Sequence, residues 1–138
     1  MKNFLEQWFS VGTNKKTKLI KYLEINSYLY MFLGLSICIY PTFLSSIGLF
    51  PEVIGREIGL LQVIGFTLFL IGYFYFFGAR TRKKSFCLAT IFDRLILVPI
   101  VLVFIVATDS LEFDFILPFL ILDPLLALGA LYIWRSEE

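Results

Sequence analysis

Apolar residues run along this chain in four long blocks, each bounded by charge. The first lies between Glu24 and Glu52 and holds no charged residue; the second runs from Ile58 to Ala79, between Glu57 and Arg80. The third lies between Lys84 and Asp109 with Asp93 and Arg94 inside it, and the fourth between Asp114 and Arg135 with Asp123 inside it. About 20 residues of helix cross the roughly 30 Å hydrocarbon layer of a bilayer, so each block is long enough to span one. Lipid offers backbone N–H and C=O groups no partner, so the spans must be helical, and the alternating pattern of a membrane β-barrel is absent. The pattern predicts an all-α integral membrane protein, a four-helix transmembrane bundle. Spans are expected near residues 27–49, 57–79, 85–107 and 115–134, within a domain covering 27–135.

Charge then orients the bundle. Lys2, Lys15, Lys16, Lys18 and Lys21 precede the first span, Arg80, Arg82, Lys83 and Lys84 separate the second from the third, and Arg135 follows the fourth. The opposite side carries only Arg56, with the acids Glu52, Glu57, Asp109, Glu112 and Asp114. Lysine and arginine accumulate on the cytoplasmic side of membrane proteins, so both termini and the 80–84 loop are expected in the cytoplasm, with a bacterial inner (plasma) membrane as the location. Aromatic residues belong at membrane interfaces, and Tyr73, Phe74, Tyr75, Phe76, Phe77, Tyr132 and Trp134 approach the same side.

The first 26 residues have no apolar core ahead of a small-residue cleavage site, so they do not read as a cleaved signal. Phe4, Leu5, Trp8 and Phe9 alternate at helical spacing with Lys2, Asn3, Glu6 and Gln7. Residues 1–26 are therefore expected to carry a short amphipathic segment on the inner leaflet, drawn to anionic lipid by Lys15, Lys16, Lys18 and Lys21. A docking helix for a partner protein is the alternative.

Composition narrows the chemistry. The chain has 138 residues, 59% hydrophobic and 17% charged, against about half and a quarter in soluble domains. It has no histidine, the commonest metal ligand, and only two cysteines, Cys38 and Cys87, which lie at different depths and form no metal or redox motif. No cofactor is expected, and the clustered basic residues mark orientation rather than nucleic-acid binding. Pro41, Pro99 and Pro124 each remove a helix donor and are expected to kink their spans. Gly55 and Gly59, and Gly65 and Gly72, offer close-packing positions.

Asp93, Arg94 and Asp123 carry the most information. A charge inside a membrane costs about 2.5 kcal/mol or more, so such residues face the bundle interior and find partners. At 1.5 Å per residue, Asp93 and Arg94 lie roughly 12–14 Å from the basic end and Asp123 roughly 17 Å from it. Thr90 and Arg94 share one helical stripe, with Asp93 beside it. An Arg94–Asp123 ion pair with Asp93 nearby is expected, as a register-fixing cluster, a ligand site or a proton site. If all three ionise the cluster sums to one negative charge, so a further donor or a proton is required. A second polar group, Tyr40, Arg56, Glu57 and Gln62, with Thr42, Ser45 and Ser46, could line a cavity opening outward, or Gln62 could bond a helix carbonyl.

Three segments, Gly55-Arg56-Glu57-Ile58-Gly59-Leu60-Leu61-Gln62, Phe92-Asp93-Arg94-Leu95 with Pro99, and Asp123-Pro124-Leu125-Leu126-Ala127-Leu128, resemble the small BphX-like membrane proteins in order and spacing. More loosely they resemble the DoxX-like four-helix family. The resemblance covers roughly residues 27–134 and implies a four-helix membrane protein without assigned catalytic residues. Some BphX-like proteins are encoded beside aromatic-degradation genes, and some DoxX-like relatives are linked to quinone-dependent sulfur oxidation. Small multidrug exporters need a carboxylate in the first span, vitamin K-type reductases need paired cysteines, and sterol-isomerase-like bundles often use histidine; this chain has none of these. The expectation is a non-enzymatic membrane protein that contacts lipid and binds a small hydrophobic ligand, or that acts as a homo-oligomer or subunit of a larger membrane complex. The alternatives are a small proton-coupled transporter using Asp93 or Asp123, or an accessory subunit of a quinone-linked oxidoreductase.

Overall fold

The computed structural model describes residues 4–108 and 112–137. Lys2, Asn3 and Asp109, and the side chains of Phe4 and Leu5, lie outside the described residues. The regular structure is helical: α1 (Phe4–Trp8), α2 (Lys18–Ile39), α3 (Phe43–Ser46), α4 (Arg56–Arg80), α5 (Lys84–Phe92), a π-helical turn (Asp93–Leu97), α6 (Val98–Ala107) and α7 (Phe113–Ser136). Helix α5, the π turn and α6 run on as one rod, so four helices are long and apolar enough to cross a membrane. Their outer surfaces expose Phe32, Ile39, Phe74, Ile100, Phe104 and Leu125 among many other large apolar residues, which suits hydrocarbon and not water.

The first long helix begins and ends earlier than its apolar block. Thr17 caps its start by accepting a hydrogen bond from the Ile20 N–H at 3.3 Å. The carboxylate of Glu137, at the far end of the sequence, accepts from the Lys18 and Leu19 N–H groups, where the positive end of the helix dipole favours an anion. Residues 18–26 are thus the first two turns of the helix rather than part of a separate N-terminal segment. At the other end Pro41 disfavours helical backbone in the residue before it, and Tyr40 sits at φ −129°, ψ 79°. Pro41 ends the helix instead of kinking it.

Residues 40–55 then fold back over the bundle end. Leu44, Phe50 and Val53 are buried, and the Phe50 ring stacks on Phe115 at 5.0 Å. At Pro99 the missing donor is absorbed upstream by the π turn, where Val98 N–H reaches the Asp93 carbonyl. Helix α7 holds Pro124 as expected, and Pro118 as well, which was not anticipated as a break in that span.

Helices α2 and α4 pack along their whole length, and α7 lies against α2, α5 and α6. The α2–α4 seam depends on small residues. A Cβ on Gly65 would stand 2.7 Å from Cys38 N and 2.8 Å from Gly34 O, and one on Gly72 would stand 2.6 Å from Met31 N and 2.7 Å from Ser27 O. Ser27 and Gly34, seven residues apart, face Gly72 and Gly65, also seven apart, in the antiparallel sense. Gly55 and Gly59 have no such role: nothing lies within 4 Å of a Cβ at either, and Gly55 serves the turn before α4 with φ +60°.

The N-terminal strap, residues 4–17, packs against the end of α4. Trp8 stacks on Phe77 at 5.7 Å, Gly12 N–H donates to the Arg80 carbonyl at 2.9 Å, and Arg80 Nη2 donates to the Phe9 carbonyl at 2.6 Å. With Glu137 at the start of α2, these contacts gather the strap, the 80–84 loop and the C-terminal end at one end of the bundle.

Candidate functional site

All four long helices send a polar side chain to one place. The stripe Leu61, Gly65, Leu68, Gly72, Tyr75 and Ala79 is the buried face of α4, at alternating steps of four and three, and it carries Tyr75 inward. Ser27, Tyr30, Gly34 and Ile37 form the matching stripe of α2 and carry Tyr30. The π turn supplies Asp93 and Arg94, and Asp123 lies on the same side of α7 as buried Ile116, Ala127 and Ala130. A wide turn inserts an extra residue per hydrogen-bonded ring, and such turns recur where a helix must aim functional side chains.

Arg94 is the centre. It is only 1% exposed. Its Nε donates to the Thr90 carbonyl at 3.0 Å and its Nη2 lies 3.5 Å from Thr90 Oγ1, while the Thr90 hydroxyl donates to the Cys87 carbonyl at 2.8 Å. The guanidinium carbon stands 5.4 Å from the centre of the Tyr75 ring, a cation–π distance. Its Nη1 is buried and has no hydrogen-bond partner among the described residues.

Two phenol–carboxylate pairs flank the arginine. Tyr75 OH donates to Asp93 Oδ2 at 3.2 Å, and Tyr30 OH donates to Asp123 Oδ1. The two tyrosine rings meet edge to face, 5.7 Å apart at 85°.

The expected Arg94–Asp123 ion pair is not formed. Helical side chains lean back toward the N-terminus of their helix, and Arg94 follows that lean along its own helix to the Thr90 carbonyl, leaving Asp123 to Tyr30. The shared stripe of Thr90 and Arg94 and the placement of Asp93 beside it are as expected. Tyr30 and Tyr75 went unrecognised as site residues, although the charge count had called for additional donors and a buried tyrosine hydroxyl needs an acceptor. Matching the two would have pointed to them.

In the outward polar group the alternative reading is the one seen, with Gln62 bonded to a helix carbonyl. Tyr40, Arg56, Glu57 and Gln62 are all exposed; Glu57 accepts from the Ile54 N–H at 3.3 Å, and Gln62 Nε2 donates to the Cys38 carbonyl at 3.3 Å. Glu57 and Gln62 are thus each satisfied within or beside their own helix. Gln62→Leu is expected to change stability by no more than about 0.5 kcal/mol, as at other exposed positions, which thermal unfolding in detergent would check.

Among the described residues no three histidine, cysteine, aspartate or glutamate side chains converge in a way that could hold a metal ion, and Cys38 and Cys87 are free thiols. Together the fold and the site define an all-helical bundle with four membrane-length helices around one arginine. No family model, curated protein or solved structure matches this chain.

Proposed function

We propose that this chain is a non-enzymatic multi-pass membrane protein, with both termini cytoplasmic, that binds a small and largely apolar molecule at the Arg94 centre. It acts alone, as a homo-oligomer, or as a subunit of a larger membrane complex. The observation that supports this reading is the Nη1 group of Arg94, a buried charged donor without an acceptor among the described residues. A buried unpaired donor costs about 1–3 kcal/mol, and more when charged. Each neighbouring carboxylate accepts a phenol, and neither reaches Arg94 Nη1. A hydrophobic molecule bearing a neutral carbonyl oxygen answers that need, since a carboxylate would add to a cluster that already carries one more negative than positive group.

Native mass spectrometry of the protein extracted gently from its own membrane tests it. A discrete non-lipid adduct is expected on the wild type and should be lost in Arg94→Lys, which keeps the charge but not the planar fork of donors. Bare chain and bulk lipid in both samples would count against the site. A defined second protein in the complex would favour the accessory subunit of a quinone-linked oxidoreductase.

A proton-coupled transporter is the second reading, supported by the line Asp123–Tyr30–Tyr75–Asp93, in which hydroxyl hydrogen bonds and a ring contact cross the bundle. That reading requires pH-dependent flux in vesicles that Asp93→Asn or Asp123→Asn abolishes; flux unchanged in both variants would rule it out.

A further inference from the structure

A second site lies at the basic end of the bundle, apart from the Arg94 centre. A cavity of ≈ 350 Å³ opens between the N-terminal strap and the ends of α2 and α4, lined by Lys16, Glu24, Tyr28, Phe76, Arg80 and Arg82 among others. Its charges do not balance. Lys16 and Glu24 form an ion pair, which leaves two guanidinium groups without a carboxylate on the cavity wall.

Both arginines are held in place. Arg80 is fixed through Nη2 on the Phe9 carbonyl and by the rings of Phe9 and Phe76, 5.9 and 5.7 Å from its guanidinium carbon, yet its buried Nε has no partner among the described residues. Arg82 has φ +53°, which no other non-glycine shows among the described residues. Such a backbone persists only where surrounding contacts hold it. Here Arg82 Nη1 donates to the Asn14 carbonyl at 3.1 Å, and Asn14 Nδ2 donates to the Arg82 carbonyl at 3.4 Å. The other flank is apolar: Tyr28, 53% exposed on the outer surface of α2, packs its ring 5.6 Å from that of Phe76.

We propose that this cavity binds a phosphate-bearing anion, delivered as the headgroup of an anionic phospholipid. Guanidinium groups match phosphate geometry through paired donors, and the spare donors here come from two arginines. The charged wall meets an apolar flank at the end of the long helices, the level at which a lipid phosphate joins its acyl chains, and basic pockets at such positions take phospholipid headgroups. The inference rests on the membrane reading of the four helices but not on the Arg94 site.

The test uses the full chain in nanodiscs of phosphatidylcholine with and without phosphatidylglycerol, read by thermal midpoint and by the lipid retained in native mass spectrometry. Wild type should retain phosphatidylglycerol preferentially and unfold at higher temperature with it. Arg80→Gln and Arg82→Gln should each weaken retention about tenfold, as loss of one charge-assisted hydrogen bond predicts. Arg82 lies in the 80–84 loop, so Arg82→Gln keeps the test usable if Arg80→Gln does not fold. Lys83→Gln, in the same loop but off the cavity wall, should leave retention unchanged. Equal retention of both lipids, or equal retention by wild type and folded Arg82→Gln, would overturn the proposal. So would a loss in Lys83→Gln as large as in Arg82→Gln, since surface charge alone would then account for binding. Inorganic phosphate that stabilises the detergent-solubilised protein as strongly, and displaces phosphatidylglycerol, would assign the cavity to soluble phosphate and overturn the lipid source.

Discussion

Leucine in place of Gly34 is expected to force α2 and α4 apart and to destabilise the protein by roughly 3 kcal/mol, the upper part of the usual range for an overpacked interior. Even a Cβ at Gly34 would overlap the Phe69 N–H, and it would stand 2.5 Å from the Gly65 carbonyl oxygen and 2.8 Å from Phe69 Cα. Those atoms are backbone, so no side-chain rotation relieves the clash. Between helices in lipid there is little hydrophobic driving force to spare, and close backbone packing supplies much of the association. The α2–α4 seam is the longest interface in the bundle, and the same displacement would separate Tyr30 from Tyr75. Gly59→Leu is the matched control, because nothing lies within 4 Å of a Cβ there. Unfolding midpoints in detergent should fall sharply for Gly34→Leu and stay unchanged for Gly59→Leu. Equal effects would mean that the seam does not set stability.

That contrast also shows where the sequence is informative. Gly55 and Gly59 present the familiar spacing of four, yet nothing lies within 4 Å of a Cβ at either, while Gly34 and Ser27, without that spacing, line the seam. A small residue becomes a packing position only when its face meets another helix, and helix rotation is a property of the pair rather than of either sequence. The existence of four long apolar helices, by contrast, was legible throughout, because apolar length is a property of each segment alone. The first helix was displaced for a local reason. Hydropathy favoured 27–49, but Pro41 stops the helix at Ile39, and Lys18, Lys21 and Glu24 are accommodated in its opening turns at the basic end.

The site was legible in the same partial way. Arg94 and Thr90 stand four residues apart on one helix, so their contact follows from helical periodicity. The choice of Tyr30 by Asp123 does not, because it joins residues 93 positions apart through the rotation of α7 against α2. The π turn that holds Asp93 and Arg94 leaves no composition signature beyond Pro99 a few residues later. What the sequence did carry was the arithmetic: one arginine against two carboxylates leaves donors wanting, and the two phenols supply them.

Arg94→Leu is expected to cost about 1.5–3 kcal/mol, the range for losing a hydrogen bond from a charged group, here the one to the Thr90 carbonyl. The variant leaves Asp93 and Asp123 facing each other's charge in a low-dielectric interior with one phenol apiece, and leucine fills less of the space. Size and charge can be separated by a double-mutant cycle. Asp123→Asn keeps an oxygen for the Tyr30 hydroxyl but removes the charge. If Arg94 works by neutralising Asp123, Arg94→Leu should cost less in the Asp123→Asn background, by about 1–3 kcal/mol, the coupling typical of residues in one network. The same cycle with Asp93→Asn measures the other carboxylate. Costs that simply add in both cycles would make Arg94 a packing residue and remove its electrostatic role. Coupling to both carboxylates would describe a charge set that already closes within the protein, with register as its main result. Strong coupling to one alone would leave part of the guanidinium uncommitted, and Nη1, the donor without an acceptor among the described residues, is where a ligand oxygen would then bind.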